Sequence, residues 1–131
     1  MKRDRKTKNC TRCDKAIYHN NQTGYCLECF NDIRRENILN HWLETGDTGC
    51  SVNTTIRSVI RDYIYEKQKD RCSICNTSRT WNGKPLNFVL DHIDGNAANN
   101  NEGNLRLICY NCDSQLDTFK SKNKKSARTS R

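Results

Sequence analysis

Apolar residues are scarce in this sequence. Only 34% of its 131 residues are hydrophobic and the mean hydropathy is -1.01, which leaves little material for a core. No apolar run approaches the length of a membrane-spanning helix, so no membrane partner is expected. The chain is expected to form one domain or two very small ones that need additional cross-links.

No hydrophobic leader is expected. The first eight residues, MKRDRKTK, contain no apolar stretch of the kind that directs secretion. We therefore expect the protein in the cytoplasm, a reducing compartment where disulfide frameworks are rare. The cysteines of this chain are better interpreted as metal ligands.

Cysteine is abundant, and its spacing is regular. Eight of the nine cysteines form four Cys-x-x-Cys pairs, in which two intervening residues let both sulfurs reach one tetrahedral metal. The sequence predicts two structural Zn²⁺ sites, each with four sulfur ligands and no position open to water. The first site comprises Cys10, Cys13, Cys26 and Cys29, and the second Cys72, Cys75, Cys109 and Cys112. Cys50 stands outside this pattern and has no assigned role.

Positive charge is concentrated at the two ends of the chain. The net charge is +8, but residues 1–8 carry five basic side chains and one acidic, and residues 120–131 carry six basic and none acidic. The intervening residues 9–119 therefore have a net charge of -2. Basic ends are typical of solvated tails and of segments that follow a phosphate backbone, and the two interpretations are compatible.

The chain is predicted to hold two modules between basic tails. A disordered tail at 1–9 precedes a four-cysteine zinc module with a helix at 10–45, in which apolar residues recur at helical spacing from Phe30 to about Leu43. Glycines and small polar residues mark a boundary at 45–54. The second module, 54–119, opens with a helix capped by Thr54 or Thr55 and is followed by the basic tail 120–131.

Strand signals dominate the second module after its first Cys-x-x-Cys pair, or knuckle, formed by Cys72 and Cys75. Asn82-Gly83 is a tight-turn signal, LNFVLDHI reads as a strand, and an eleven-residue loop rich in asparagine leads into the strand NLRLIC. CDSQLDTFK then reads as a short helix. The predicted fold class is small α+β, cross-linked by zinc, and we interpret Asn96, Asn99, Asn100 and Asn101 as turn formers.

The segment LDHIDGNAANNNEGNLRLICYNCDSQ resembles the signature of the HNH, or ββα-metal, endonucleases. With WNGKPL before it and TFKSKN after it, the order of motifs is similar to that of small HNH endonucleases from phage genomes. The resemblance covers residues 72–123 strongly and residues 1–71 weakly, although an additional four-cysteine site occurs in some relatives. It implies a ββα-metal (His-Me finger) fold, DNA as substrate, and a bacterial or phage-infected host cell.

The resemblance implies a role for each polar residue of the motif. His92 would be the general base, because a neutral imidazole can take a proton from water near pH 7. Asp91 and Asp113 would hold one catalytic Mg²⁺ or Mn²⁺, and Asn104 would tie the loop that orients His92. Because strict strand alternation puts Asp91 and His92 on opposite faces, the strand must bend or end there.

Asp113 departs from the commonest pattern of the HNH family, which has histidine directly after the last cysteine of the motif, here Cys112. An inactive, decayed site is one interpretation. A harder oxygen ligand, favouring Mg²⁺ and Mn²⁺, is the other, and we prefer it because the rest of the motif is intact. Asp117 is a weaker candidate ligand.

Five basic residues are candidate contacts to DNA phosphates. They are Arg57, Arg61, Arg106, Lys120 and Lys122. A solvated helix face is the alternative for Arg57 and Arg61, and a salt bridge is the alternative for Arg106. Arg12 and Lys15 of the first zinc module are further candidates.

The function expected from these residues is metal-dependent DNA cleavage, with His92 as base and one ion on Asp91 and Asp113. A homing-type or other mobile-element HNH endonuclease is the preferred reading. A stand-alone restriction enzyme acting as a homodimer, and a non-catalytic zinc protein that binds nucleic acid, stay open as alternatives.

Overall fold

The structure is a computed structural model and describes residues 5–128. Chain contacts divide the protein into two compact units, and the division falls between Ile38 and Leu39. It lies inside a helix, upstream of the boundary predicted at 45–54. The reason is that the end of this helix supplies Trp42 to the core of the second unit.

The first unit contains one small hairpin. Strand β1 (Thr7–Asn9) pairs antiparallel with β2 (Ala16–Tyr18). β1 covers residues 7–9 of the tail that was expected to be disordered, and residues 1–4 of that tail lie outside the described range. The chain turns sharply at the first knuckle, where Asp14 has a φ of 63° and its N–H donates to the carbonyl of Cys10.

Sulfur makes up most of the interior of the first unit. Its buried cluster consists of Cys10, Ile17, Cys26 and Cys29, with Tyr25 packed against them. Helix α1 (Leu27–Thr45) begins directly after Cys26 and continues past the end of this unit. It is longer than the predicted helix from Phe30 to Leu43.

The second unit places one helix before two short antiparallel strand pairs and one helix after them. It comprises α2 (Ser58–Lys67), β3 (Thr80–Trp81), β4 (Lys84–Pro85), β5 (Val89–His92), β6 (Leu105–Ile108) and α3 (Tyr110–Ser114). β3 pairs with β4 and β5 pairs with β6, both antiparallel. The predicted order of strand, loop, strand and helix is present over β5, β6 and α3.

The interior of the second unit is aromatic and aliphatic. Its largest fully buried side chains are Trp42, Ile60, Phe88, Leu107 and Ile108. α2 packs on β6, so that Ile60 and Ile64 are buried on the face of the sheet. Apolar burial of this extent stabilises a fold by about 25 cal/mol per Å² of surface removed from water.

A glutamine side chain extends the β5–β6 pair on its outer side. Gln68, just after α2, donates from Nε2 to the carbonyl of Leu107 and accepts at Oε1 from the Leu107 N–H, at 2.8 and 2.9 Å. Ser73 N–H also donates to the Leu107 carbonyl. The amide of Gln68 thus occupies the place of a third strand at this point.

Two helix boundaries differ from the sequence prediction. α2 begins at Ser58, because Thr54 forms a turn with Ser51 through both its N–H and its hydroxyl. α3 begins at Tyr110, where Cys109 Sγ accepts from the Cys112 N–H, and it ends before Leu116. Among the described residues, no helix is both long enough and apolar enough to cross a membrane.

Candidate functional site

The eight paired cysteines converge into two tetrads. In each, all four sulfurs lie within 4.8 Å of one another, as the spacing predicted. The Sγ atoms of Cys13 and Cys26 are 3.7 Å apart, and so are those of Cys75 and Cys109. Four sulfurs at 2.3 Å from a tetrahedral Zn²⁺ would lie about 3.8 Å apart, so both tetrads have the donors and spacing that zinc requires.

The thiols of the second tetrad have opposite pKa shifts, which a bound cation would reconcile. Burial opposes ionisation of Cys72, but the N–H groups of Cys75, Cys109 and Ile74 outweigh it and lower the Cys72 pKa to about 6. Burial, and then hydrogen bonds of Cys112 with the other three thiols, raise the pKa of Cys112 to about 12. One thiolate forms easily and the last does not, so a divalent cation is needed to neutralise all four.

The first tetrad shows the same opposition. N–H groups of Cys13, Cys26 and Arg12 outweigh the effect of burial on Cys10 and lower its pKa to about 6. A hydrogen bond with Cys26, and then burial, raise the pKa of Cys29. Each tetrad can therefore hold one zinc ion, and its four sulfurs would fill the tetrahedron.

Three of the four residues expected to form the catalytic site line one cavity, and the fourth, Asn104, does not line it. Asp91 and His92 end β5, Asp113 lies in α3 directly after Cys112, and all three face a cavity of about 370 Å³. Asp91 and His92 are the last two residues of β5, and both line the cavity. The last described segment closes one side of the cavity with Phe119, Lys120, Asn123 and Arg128.

Asp91 is held by an arginine on the neighbouring strand. Arg106 is its direct partner in the β5–β6 register, and Arg106 Nε donates to Asp91 Oδ2 at 2.8 Å. The Asp91 side chain is only 10% exposed, so this ion pair lies largely out of water. Arg106 therefore contacts Asp91, which is the salt-bridge alternative considered for it.

Asp113 has no such partner. No hydrogen bond to its carboxylate is found within residues 5–128. Burial, and then the negative charge of Asp91, raise its pKa, against the opposing effect of Lys120. Two carboxylates that repel each other across a cavity are ligands of the type that Mg²⁺ or Mn²⁺ prefers. The three residues do not form a tight cluster of the kind seen in the tetrads.

The asparagine-rich loop is organised around Asp94. Its carboxylate accepts from the Asn96 N–H and from the side chains of Asn99 and Asn104, which lower its pKa to about 2. Asn104 also accepts from the Asp94 N–H and donates to the Asn99 carbonyl, at 3.0 and 2.7 Å. Asn104 thus ties both ends of the loop.

Helices α1 and α2 hold the far side of the same loop. Glu102 accepts from the Tyr63 hydroxyl and from Lys67 Nζ, each at 2.8 Å. Trp42, fully buried, donates from its indole Nε1 to the carbonyl of Asn100 at 2.7 Å. The loop is therefore fixed from both helices.

One contact to His92 was missed by the sequence reasoning. Asn100 Oδ1 lies 2.7 Å from His92 Nε2, so the Asn100 side chain does more than form a turn. The eight-residue separation gave no periodic signal, and only the path of the loop brings the two together. Trp42 lies in the helix predicted from Phe30 to about Leu43, and its bond to the loop was likewise not predicted.

The remaining predicted DNA contacts occupy different settings. Arg57 Nε donates to the Thr48 carbonyl and Arg61 Nη2 to the Phe88 carbonyl. Lys120 lines the cavity. In the first unit, Arg12 pairs with Glu36 and Lys15 lies 3.5 Å from Glu28.

Comparison with known proteins gives one partial match. A stretch of 53 residues is 40% identical to the H-N-H endonuclease F-TflIV of Escherichia phage T5. The match covers 40% of this chain and 23% of that protein, so the chain spans about a quarter of the length of its relative. No protein-family model and no solved structure matches the chain. The match supports a relationship to HNH endonucleases over that stretch.

Proposed function

We propose that this protein is a metal-dependent DNA endonuclease of the HNH kind. One observation carries the proposal: Asp91, His92 and Asp113 line the same cavity, on a strand pair and a helix joined by the second cysteine tetrad. The partial match to a phage HNH endonuclease supports the same class. In this reading β5, β6 and α3 correspond to the ββα-metal unit.

The chain's own residues divide the work of phosphodiester hydrolysis. His92 takes the proton from the attacking water. Asp91 and Asp113 would hold Mg²⁺ or Mn²⁺, which supplies positive charge for the scissile phosphate and the 3′ leaving oxygen. Arg106 occupies Asp91 Oδ2 and leaves the other oxygen of that carboxylate to the ion. The expected products carry 5′-phosphate ends.

Other parts of the protein keep this geometry or attract the substrate. Asn104 ties the loop beside His92, and zinc in the second tetrad would fix Asp113 through its neighbour Cys112. Lys120 and Arg128 line the cavity and would face the DNA backbone. Basic residues at both ends of the chain would make binding strongly dependent on salt.

The test uses zinc-loaded protein and supercoiled plasmid, with and without added Mg²⁺. We expect nicked or linear DNA only with Mg²⁺, and a fall in rate of about 10²- to 10⁴-fold for His92→Ala. The matched control is His41→Ala, since His41 is an exposed histidine that pairs with Asp47 and lies outside the cavity. Mg²⁺ is omitted rather than chelated, so that the zinc sites stay loaded.

Each outcome assigns one of the open alternatives. Shifted plasmid mobility without cleavage under any condition would overturn the enzyme and leave a zinc protein that binds nucleic acid. Nicked circles that appear before linear DNA indicate a monomer cutting one strand at a time. Linear product without a nicked intermediate indicates a homodimer of the restriction type.

A further inference from the structure

Asn100 connects the interior of the second unit to the imidazole of His92. Its backbone carbonyl accepts from Trp42 Nε1 at 2.7 Å, and its side-chain Oδ1 lies 2.7 Å from His92 Nε2. Both distances are short for hydrogen bonds between nitrogen and oxygen. One residue therefore contacts the buried indole through its backbone and the cavity histidine through its side chain.

The chemistry of an amide oxygen determines what His92 must do in this pair. An amide oxygen only accepts hydrogen bonds, so the ring nitrogen facing it must carry the proton. A neutral imidazole has one protonated nitrogen, and the other then has a free lone pair. With the proton on Nε2, the lone pair of His92 is on Nδ1.

The other ring nitrogen of His92, Nδ1, is not fully buried. No hydrogen-bond partner for it is found within residues 5–128, and in that range no buried side-chain nitrogen or oxygen is left without a partner. An unpartnered Nδ1 is therefore not a buried atom. His92 lines the cavity that Asp91 and Asp113 also line, and Nδ1 is the nitrogen free to meet a water there.

Asn100 is itself held firmly. The Trp42 ring packs edge-on against Tyr63, with centroids 5.6 Å apart and planes at 79°. Gly46, with a φ of 74°, ends α1 so close to Asn101 that an added Cβ would collide with the Asn101 side chain. The backbone at residues 100–101 is thus held by the end of α1, and this also fixes where the Asn100 side chain begins.

We propose that Asn100, anchored by Trp42, is a positioning residue that fixes His92 with its proton on Nε2 and presents the bare Nδ1 to the cavity. The assignment of the tautomer stands on its own, and its catalytic consequence rests on the proposed nuclease function. Asn100 and Trp42 touch no reacting atom in this scheme and act only through His92.

The direct test is the tautomer of His92, observed by two-bond ¹H–¹⁵N correlation spectra of zinc-loaded protein at about pH 8.5, where imidazole is neutral. Wild-type His92 should carry its proton on Nε2. Asn100→Asp should keep this tautomer, because a carboxylate also only accepts. Asn100→Leu should yield a mixture of tautomers, and Trp42→Phe, which keeps the ring and removes the donor, a smaller shift toward a mixture.

The two exposed histidines serve as internal controls. His19 and His41 should give the same spectra in all four proteins, since neither contacts Asn100. A wild-type His92 with its proton on Nδ1, or an Asn100→Leu variant with an unchanged tautomer, would overturn the proposal. The wild-type spectrum decides the matter even if Asn100→Leu does not fold.

Plasmid cleavage then tests the catalytic consequence. Asn100→Leu should lower kcat by about 10- to 100-fold with little change in KM, and Asn100→Asp should recover most of the rate. If wild-type protein shows the Nε2 tautomer and cuts no DNA, the proposed function fails while the tautomer assignment stands. If Asn100→Leu changes the tautomer and leaves kcat unchanged, the positioning role is wrong.

Discussion

The two cysteine tetrads have the same ligand geometry but different surroundings. In the first unit, three of the four buried cluster residues are the cysteines themselves, and Ile17 is the only aliphatic among them. In the second unit, the tetrad adjoins a core that includes Ile60, Phe88 and Leu107, all almost fully buried. The cysteines thus make up most of the interior of the first unit, whereas in the second unit they only link segments around a separate apolar core.

This difference indicates what zinc would contribute in each place. Without a cation, the first unit has little apolar surface to hold its hairpin and the start of α1. The second unit has a core of its own, but its tetrad joins the chain before β3 to the link between β6 and α3. There the metal would determine where Asp113 lies, which is a functional rather than only a stabilising role.

The largest expected effect separates the two tetrads. Cys26→Ser and Cys109→Ser each replace a buried ligand, and zinc-dependent folding energies are about 10 kcal/mol or more. Cys26→Ser should unfold the first unit alone, and Cys109→Ser should unfold the second and abolish cleavage. Zinc content should fall from two ions to one in both variants, and ¹H–¹⁵N spectra should show which unit loses dispersion.

Loss of both units from either single substitution would contradict the comparison. So would a Cys109→Ser protein that keeps its spectrum and its cleavage rate. Serine at Cys50, which belongs to neither tetrad, is the matched control and should leave the zinc content at two ions.

A smaller effect is expected from replacing the asparagine that organises one loop in each unit. Asn21 accepts from the Thr23 and Gly24 N–H groups, each at 2.9 Å, as Asn104 does from Asp94. Alanine at either position should cost about 0.5–1.5 kcal/mol, because these N–H groups lose their hydrogen bonds but remain accessible to water. Amide hydrogen exchange should accelerate at Gly24 in one variant and at Asp94 in the other.

Only the Asn104 variant should also slow DNA cleavage, because the Asn104 loop leads to His92. Equal loss of cleavage from Asn21→Ala would show that the first unit takes part in the reaction and would break the comparison. Unchanged exchange at Asp94 in the Asn104→Ala protein would show that the loop is held by other contacts.

The smallest expected effect is a gain in stability. Burial and the Asp91 charge raise the pKa of Asp113, so its ionised form is disfavoured in the folded state. A carboxylate of this kind stabilises the fold when protonated, and that contribution is lost as the pH rises through its folded pKa. At pH 7 without Mg²⁺, Asp113→Asn should therefore raise the free energy of unfolding by up to about 1 kcal/mol after solvent screening.

Urea unfolding of zinc-loaded protein in Mg²⁺-free buffer measures this difference. The gain should shrink when Mg²⁺ is added, since the wild-type carboxylate would then have a cation to bind. Asp117→Asn, further along the chain from Asp113, is the control. A less stable Asp113→Asn protein would mean that the carboxylate has a stabilising partner.

The features that the sequence predicted correctly are those formed by residues close together along the chain. The Cys-x-x-Cys pairs and the Asn82-Gly83 turn are short-range patterns, and the structure places them as expected. The start of α2 was misplaced because Thr54, a good helix cap, instead bonds to Ser51. Sequence alone could not decide between turn and cap there.

Long-range contacts to the loop were beyond such patterns. Trp42 and Asn100 are separated by 58 residues, and their bond follows from where α1 ends relative to the loop. For Arg106, the sequence left a salt bridge and a DNA contact open, and the β5–β6 register places it opposite Asp91. Register depends on how the whole strand pair packs, which a single side chain does not reveal.

The amide of Gln68 on Leu107 has a consequence for how copies of this protein behave toward one another. A two-stranded ribbon has two open margins, and exposed margins recruit further chains into continuous sheets. Gln68 occupies both main-chain groups of Leu107 that face away from β5. This side chain therefore blocks the addition of a strand from another molecule at Leu107.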